Sequence, residues 1–248
     1  MAMPKNLLIT VPCYNEELVL EKTVEAICDY VSRNLAGFNW KILIIDNASS
    51  DKTWAIAQEL EKANSGLILL VQEFDKGRGV AIRNAWLKFS GFDIYSYMDA
   101  DLATDLKDFN LLVNKVGEGF DLVTGSRYLK ESDIVRNPKR EFLSRVYNFL
   151  LKFALGAGFK DAQCGFKAMS SKLVKEVFPQ TRDAGWFWDT ELMILAMRQG
   201  YKVLEIPVSW REVRDELRHS TVSHWAEARR QLGNIYKMRK RLKKLNGN

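Results

Sequence analysis

The chain has 248 residues, 47% hydrophobic and 27% charged, a globular balance that can bury a core without a disulfide or a structural metal. Its three cysteines form no closely spaced pair, which argues against a disulfide framework or a structural zinc site and predicts a reducing compartment. The net charge of +6 is concentrated in residues 229–244, which hold eight Lys or Arg and no acidic residue; this argues against a nucleic-acid-binding protein, whose charge spreads over a face.

Short apolar runs alternate with helical patterns along the first half of the chain. The runs that predict strands are residues 7–12, 42–46, 67–72, 94–99 and 122–125. Near-continuous apolar runs of this length suit the strands of a parallel sheet that is covered on both faces. The first helical pattern has its apolar residues on one face, at Leu20, Val24, Ile27 and Val31. The alternation predicts an α/β fold with a mostly parallel central sheet flanked by helices.

The second half of the chain is less regular. Its pattern predicts a helix over 139–155, a strand over 163–169, a helix over 187–199 and a strand over 203–210. Because no linker rich in Pro, Gly or Ser interrupts it, we predict a single domain over 1–222 with halves meeting near residue 125, and a basic helical tail over 223–248. The N-terminus lacks the pattern of a signal peptide, and no run of about 18 apolar residues predicts a transmembrane helix.

Polar side chains follow four of the predicted strands, at the point where each strand ends. They are Tyr14, Asn15 and Glu16, then Asp46, Asn47 and Ser49, then Asp99 and Asp101, and finally Ser126 and Arg127. Ligands of open parallel sheets bind at the carboxyl ends of the strands, so these residues predict one site. Asp99 and Asp101 suit one hard cation shared with substrate phosphates, and the alternative is two solvated loop aspartates. Asp46 suits a base or a ribose, and the alternative is a helix N-cap.

A loop with two glycines follows the third predicted strand and opens a helix: Lys76, Gly77, Arg78 and Gly79. Glycines at such a point let backbone amides approach an anion, which the helix N-terminus favours. Ile82 stands where a dinucleotide fingerprint has its third glycine, so that interpretation is weak.

These motifs together resemble glycosyltransferase family 2, which has the GT-A fold. The first-half residues that carry the resemblance are Pro12, Tyr14, Asn15, Glu16, Asp46, Asn47, Ser49, Asp51, Lys76, Gly77, Gly79, Asp99, Ala100 and Asp101. The second half is similar to the dolichyl-phosphate glucosyltransferases and polyprenyl-phosphate mannosyl synthases through residues 125–127, 161–167 and 188–191, and the run 163–167 is closer to the glucosyl branch. One departure is Asn47, where the family often has an aspartate.

The resemblance implies inverting transfer of a sugar from UDP-glucose, UDP-GlcNAc or GDP-mannose to a polyprenyl or dolichyl phosphate, as in protein glycosylation. It makes the first half a nucleotide-sugar half, in which the motif residues bind the donor and Asp99 and Asp101 bind Mg²⁺ or Mn²⁺. It makes the second half an acceptor half. We expect Arg127 to bind the acceptor phosphate, with Arg140 or Arg145 as second choices, because guanidinium suits bidentate phosphate recognition. Gln163 and Ser220 complete the expected acceptor site.

Asp189 matches the position where hydroxyl-accepting relatives place a general base. A lipid monophosphate is mostly dianionic at neutral pH, so it is already a nucleophile and needs no strong base. With that acceptor, Asp189 orients a sugar hydroxyl or an arginine, or caps its helix. The alternative function is a family 2 transferase that acts on a hydroxyl of a glycan or small molecule, with Asp189 as its base.

The predicted helix over 139–155 is amphipathic, as an interfacial helix is. Its apolar side is formed by Phe142, Val146, Phe149, Leu150 and Phe153. Packing on the core is the alternative for this helix, as a solvated helix end is for the basic tail. Since basic residues attract anionic lipid, we expect peripheral association with the cytoplasmic face of the membrane. The predicted lack of a membrane span also leaves room for a membrane-anchoring partner subunit.

Overall fold

The computed structural model describes residues 4–212 and 224–245. Seven strands form the central sheet: β1 (Lys5–Cys13), β2 (Phe38–Asp46), β3 (Ile68–Gln72), β4 (Ile94–Met98), β5 (Leu122–Ser126), β7 (Phe166–Ser170) and β8 (Val203–Pro207). Their spatial order is β3-β2-β1-β4-β7-β5-β8. Every neighbouring pair is parallel except the two that involve β7, which runs antiparallel to both β4 and β5. The predicted α/β class with a mostly parallel sheet is confirmed.

Eight helices cover the two faces of this sheet among the described residues. They are α1 (Leu20–Asn34), α2 (Thr53–Ala63), α3 (Arg78–Lys88), α4 (Phe109–Gly117), α5 (Pro138–Leu155), α6 (Ser171–Glu176), α7 (Trp188–Arg198) and α8 (His224–Leu245). The alternation of side chains along β1 separates the two cores: Leu8 packs with α3, α5, α7 and α8, whereas Leu7 and Ile9 pack with α1, α2 and α4. The sheet is therefore buried on both faces, as its apolar strand sequences predicted.

The predicted strand over 203–210 is wrong as one element. Strand β8 ends at Pro207, which has no N–H to continue the ladder. The chain then forms β9 (Ser209–Arg211), which pairs in parallel with β6 (Asp133–Val135) in a separate two-stranded sheet. Strand β6 was not predicted from the sequence, because three residues are too few to show an apolar alternation.

Helix α8 packs on the domain and is not a detached extension. Ile235, Met238 and Leu242 are buried in the same core cluster as Leu151 and Leu155 of α5. The predicted boundary between residues 222 and 223 falls outside the described residues and stays a prediction. No helix within 4–212 or 224–245 is both long and apolar enough to span a membrane.

Candidate active site

The topology brings the ends of β1 and β4 together at one edge of the sheet. The chain leaves β1 towards β2 and β3 and then returns to β4 on the other side of β1. Where the strand order reverses in this way, a crevice opens at the carboxyl ends of the strands. A cavity of about 520 Å³ lies there. Its lining includes nine predicted donor-site residues: Pro12, Tyr14, Glu16, Asn47, Lys76, Gly77, Asp99, Ala100 and Asp101.

Two carboxylates that follow β4 face this cavity, and they fit a hard divalent cation. Gly165 makes room for Asp99, because a Cβ there would stand 2.0 Å from Oδ2 of Asp99. Leu102 adopts a left-handed backbone, with φ of 47°, and the N–H of Ala103 donates to Oδ1 of Asp101 at 3.1 Å. Within the described part of the chain, no three His, Cys, Asp or Glu side chains form a cation site by themselves. A cation here would therefore take its other ligands from substrate phosphates and water.

Asp99 also faces a cation of the protein itself. The Nη1 atom of Arg78 lies 3.0 Å from Oδ1 of Asp99. Burial raises the pKa of Asp99, the charge of Arg78 lowers it and the charge of Asp101 raises it again, so that the pKa ends above its usual value of 3.8. About 39% of the Asp99 side chain stays accessible, so the carboxylate is surrounded by protein charges and still open to a ligand.

Other predicted donor residues join the loops around the cavity to one another. The backbone N–H of Asn15 donates to Oγ of Ser49 at 3.0 Å, and the N–H of Ser50 donates to Oδ1 of Asn15 at 2.8 Å. Asp46 is fully buried and accepts hydrogen bonds from Gln72 Nε2 at 3.1 Å and from the Ser49 N–H at 3.4 Å. Asn15, Asp46 and Ser49 thus connect the ends of β1, β2 and β3, and they do not line the cavity themselves.

The departure at Asn47 has a physical reason in its contacts. Its Nδ2 donates to the carbonyls of Glu73 at 3.2 Å and Asp75 at 2.7 Å, and its Oδ1 accepts from the N–H of Gly77 at 2.9 Å. A carboxylate at this position would have no hydrogen to donate to either carbonyl. Asn47 therefore fixes the loop that follows β3 and carries Lys76.

The two glycines of that loop allow close packing. Gly77 has φ of 139°, and a Cβ there would stand 2.1 Å from the carbonyl oxygen of Ala184. A Cβ on Gly79 would stand 2.5 Å from Cβ of Trp188. The N–H of Gly77 is taken by Asn47, so the predicted approach of its amide to an anion meets a competing hydrogen bond. Both glycines seat the start of α3 against the segment that leads into α7.

Asp189 lies in a buried charge network beneath the cavity. Its side chain is 2% exposed, and Oδ1 lies 3.3 Å from Nζ of the fully buried Lys167 and accepts a hydrogen bond from the hydroxyl of Tyr97. Burial and the charge of Asp189 raise the pKa of Tyr97 well above its usual value, so the hydroxyl remains a donor. Lys167 also donates to the carbonyls of Ala162 at 3.1 Å and Cys164 at 2.5 Å. Asp189 is therefore the counter-ion of a buried lysine.

Arg127, the expected acceptor clamp, is paired inside the protein. Its Nε and Nη2 donate to the two carboxylate oxygens of Asp161 at 2.7 and 2.9 Å, and its backbone N–H donates to Oδ2 at 3.0 Å. Burial alone would raise the pKa of Asp161, but the charge and hydrogen bonds of Arg127 outweigh it and lower that pKa. This pair fixes the turn after β5 to the segment that precedes β7.

Two of the other expected acceptor residues, Gln163 and Arg145, have contacts in the structure. Gln163 donates its backbone N–H to Oδ1 of Asp161 at 3.3 Å, and Arg145 is exposed on α5, where it pairs with Glu141 at 2.7 Å. Ser220 and the side chain of Arg140 lie outside the described residues. These acceptor assignments therefore stay predictions.

Three residues that line the cavity, Cys13, Arg78 and Trp186, are absent from the predicted donor site. Trp186 lies in the segment that leads into α7, and α8 contacts the same segment, where Asn234 Nδ2 donates to Asp183 Oδ2 at 2.9 Å. Only the fold reveals that contact. Arg78 could have been predicted from the sequence, because it lies between Gly77 and Gly79 in the loop that follows a predicted strand.

Comparison with known proteins agrees with this architecture. Residues 8–178 match the family "Glycosyl transferase family 2". The chain is 34% identical over 203 residues to "Glycosyltransferase AglD" of Haloferax volcanii, covering 82% of this chain and 32% of that protein. It is 32% identical over 213 residues to "Dolichyl-phosphate beta-glucosyltransferase ALG5A" of Trichomonas vaginalis, covering 83% of this chain and 65% of that protein. The chain therefore spans about a third of the first relative and just under two thirds of the second.

Solved structures share the fold. Glucosyl-3-phosphoglycerate synthase from Mycobacterium tuberculosis, in complex with Mn²⁺, UDP and glucosyl-3-phosphoglycerate, superposes with a TM-score of 0.62 and 18% identity, over 94% of this chain and 78% of that one. At this identity the likeness concerns the fold, which is the GT-A architecture that the motifs predicted.

Proposed function

Since the chain belongs to glycosyl transferase family 2, we propose that it moves a sugar from a nucleoside-diphosphate sugar to a polyprenyl or dolichyl phosphate, with inversion at the anomeric carbon. The observation that supports this most is one cavity that joins carboxylates for a divalent cation, Asp99 and Asp101, to basic residues for a diphosphate, Lys76 and Arg78. UDP-glucose is the favoured donor, because the second relative is named a dolichyl-phosphate beta-glucosyltransferase.

The leaving diphosphate needs its charge neutralised during transfer. Asp99 and Asp101 would bind Mg²⁺ or Mn²⁺, and the glucosyl-3-phosphoglycerate synthase with the same fold binds Mn²⁺ together with UDP. A bound cation supplies Lewis-acid stabilisation of the leaving diphosphate. The chain's own part is to orient the two carboxylates through Gly165 and Ala103, and to place Lys76 and Arg78 on the same cavity wall.

The environment of Asp189 favours a phosphate acceptor over a hydroxyl acceptor. A general base must reach the proton that it removes, whereas Asp189 is buried and already engaged by Lys167 and Tyr97. A phosphate dianion has no proton to lose and needs no such base. The alternative, a family 2 transferase acting on a glycan hydroxyl, would require this network to open.

We also propose that the chain reaches its lipid acceptor by docking peripherally on the cytoplasmic face of the membrane. Helix α5 packs on the core through Tyr147, Leu151 and Leu155, and its opposite side exposes an apolar stripe. The stripe consists of Phe142, Leu143, Val146, Phe149 and Phe153, whereas Leu150 is half-buried against the core. Helix α8 adds exposed basic residues beside α5, which anionic lipid would attract. The membrane-anchoring subunit stays a prediction.

The test is a transfer assay with the purified chain, Mg²⁺ or Mn²⁺, a short polyprenyl phosphate and a panel of radiolabelled nucleotide sugars. We expect label in the organic-extractable lipid with one donor, and none without the cation or with Asp101→Ala. Asp29→Asn is the matched control, because it removes a carboxylate on the exposed surface of α1. Label on a water-soluble glycan hydroxyl instead would favour the alternative function. If the chain shows no transfer and no donor binding with any of the sugars, the proposed function is refuted.

A further inference from the structure

The side chain of Arg78 is enclosed at the wall of the donor cavity. Arg78 is the first residue of α3, and only 8% of its side chain is exposed. Its guanidinium carbon lies 4.9 Å from the ring centroid of Tyr97 and 5.1 Å from that of Trp186. Two aromatic faces at these distances fix the plane of a guanidinium by cation–π attraction. The group is therefore held in place before any ligand arrives.

Only part of this guanidinium has a partner. Nη1 faces Asp99 at 3.0 Å, but among the residues that the structure describes none accepts a hydrogen bond from Nε or Nη2. Buried charged donors are almost always satisfied, so two guanidinium nitrogens without an acceptor at the wall of a cavity indicate a missing acceptor. The cavity also contains Lys76 and the two carboxylates that follow β4, which would hold a cation. Because these groups make the cavity positively charged when the cation is bound, we expect the acceptor for Arg78 to be an anion. The oxygens of a diphosphate can accept hydrogen bonds from the planar guanidinium.

We infer that Arg78 has two roles in the donor site. While no divalent cation is bound, its guanidinium pairs with Asp99, and when the donor binds, its remaining N–H groups donate to the diphosphate. The inference rests on the proposed function, which makes this cavity the nucleotide-sugar site. A divalent cation at Asp99 and Asp101 must approach the positive charge of Arg78, so Arg78 opposes cation binding to the empty site. The negative charge of the diphosphate relieves that repulsion. Arg78 therefore makes cation and nucleotide bind together, and by linkage each raises the affinity for the other.

Loss of Arg78 should change the affinities for the divalent cation and for UDP in opposite directions. Removing the charge of Arg78 should tighten the binding of the cation alone, because its competitor at Asp99 is gone. The same change should weaken the binding of UDP, because the diphosphate loses its guanidinium partner. A purely structural arginine would change both affinities in the same direction or leave both unchanged.

The experiment is calorimetric titration of the full chain with Mn²⁺ alone, UDP alone, and UDP in the presence of Mn²⁺. For Arg78→Gln we expect Mn²⁺ alone to bind roughly tenfold tighter and UDP roughly tenfold weaker, the change that one charge-assisted hydrogen bond produces. Arg78→Lys keeps the charge and loses the planar donors, so Mn²⁺ binding should match the wild type while UDP binding weakens. Arg83→Gln is the control, because Arg83 lies on the same helix and donates to the carbonyl of Thr181 at 3.1 Å.

Each outcome has a defined meaning. Unchanged affinities in Arg78→Gln, or a loss of both, would overturn the inference while leaving the donor site intact. Thermal unfolding of each variant identifies misfolding, and if Arg78→Gln does not fold, Arg78→Lys decides: undiminished UDP binding overturns the inference. A wild-type chain that binds neither UDP nor Mn²⁺ would instead refute the proposed function.

Discussion

Replacing three phenylalanines of α5 by serine should detach the chain from membranes. Phe142, Phe149 and Phe153 are 67%, 67% and 81% exposed. With roughly 200 Å² per aromatic side chain, they present roughly 400 Å² of ring surface to solvent. If half of that area leaves water on docking, the stabilisation at about 25 cal/mol per Å² is about 5 kcal/mol. The triple variant should therefore partition onto vesicles roughly 4,000-fold more weakly.

The assay is co-sedimentation with vesicles of phosphatidylcholine and phosphatidylglycerol, at low and high salt. High salt screens the basic residues of α8 and isolates the contribution of α5. Leu111→Ser is the control, because Leu111 is 42% exposed on α4, a helix that packs on the other face of the sheet. Wild-type partitioning in the triple variant, or an equal loss in Leu111→Ser, would refute α5 as the docking surface.

Three further changes test the interior of the site. Asp161→Asn should cost about 3–5 kcal/mol in urea unfolding, because it leaves the charge of Arg127 buried without its counter-ion. Since the pKa of Asp161 is lowered on folding, its stabilisation is complete above its usual value of 3.8 and is lost as the pH falls through the folded-state value, so the difference between wild type and variant should shrink in acid. Asn47→Asp should destabilise by about 1–3 kcal/mol in the same assay and weaken UDP binding, because two carbonyls lose their donor. Gly77→Ala should cost at least about 1–3 kcal/mol from its positive φ alone and lower the melting temperature, since its Cβ also meets the carbonyl of Ala184.

Each change has a matched substitution that should be nearly silent. Asn39→Asp changes the same functional group at an exposed position, and Gly37→Ala adds a Cβ that meets nothing within 4 Å. Asp29→Asn removes an exposed carboxylate that pairs with Arg33 at the surface. If Asp161→Asn, Asn47→Asp or Gly77→Ala is as stable as its control, the role given to that residue is contradicted.

The residues of the predicted donor half could be placed at one edge of the sheet from sequence, because they follow strands in a regular alternation. Parallel strands bring their carboxyl ends to one edge, so the position of Asp99 or Glu16 along the chain already indicates its place in space. The resemblance to a family then gives those positions a chemistry.

The contacts of the predicted acceptor half could not be predicted in the same way, because they join distant residues. The partner of Arg127 is Asp161, 34 residues further on, and no local pattern identifies it. Lys167 and Asp189 likewise meet only in the folded chain, where the first lies on β7 and the second on α7. Strand β6, which was not predicted, has three residues and pairs with β9, which lies more than 70 residues further along the chain. A sequence motif therefore shows where an arginine charge lies along the chain. Only the fold shows whether that arginine is free to bind a ligand or is already paired with a carboxylate of the protein.

The chemical form of the product tests the central claim most directly. The purified chain would be given labelled UDP-glucose, dolichyl phosphate and Mn²⁺, and the lipid extract would be treated with mild acid, which cleaves a glycosyl phosphate and spares an ordinary glycoside. The account predicts labelled lipid that releases glucose in mild acid, and no labelled lipid with Asp101→Ala. Labelled product that survives mild acid, or label in lipid that persists in Asp101→Ala, would contradict it.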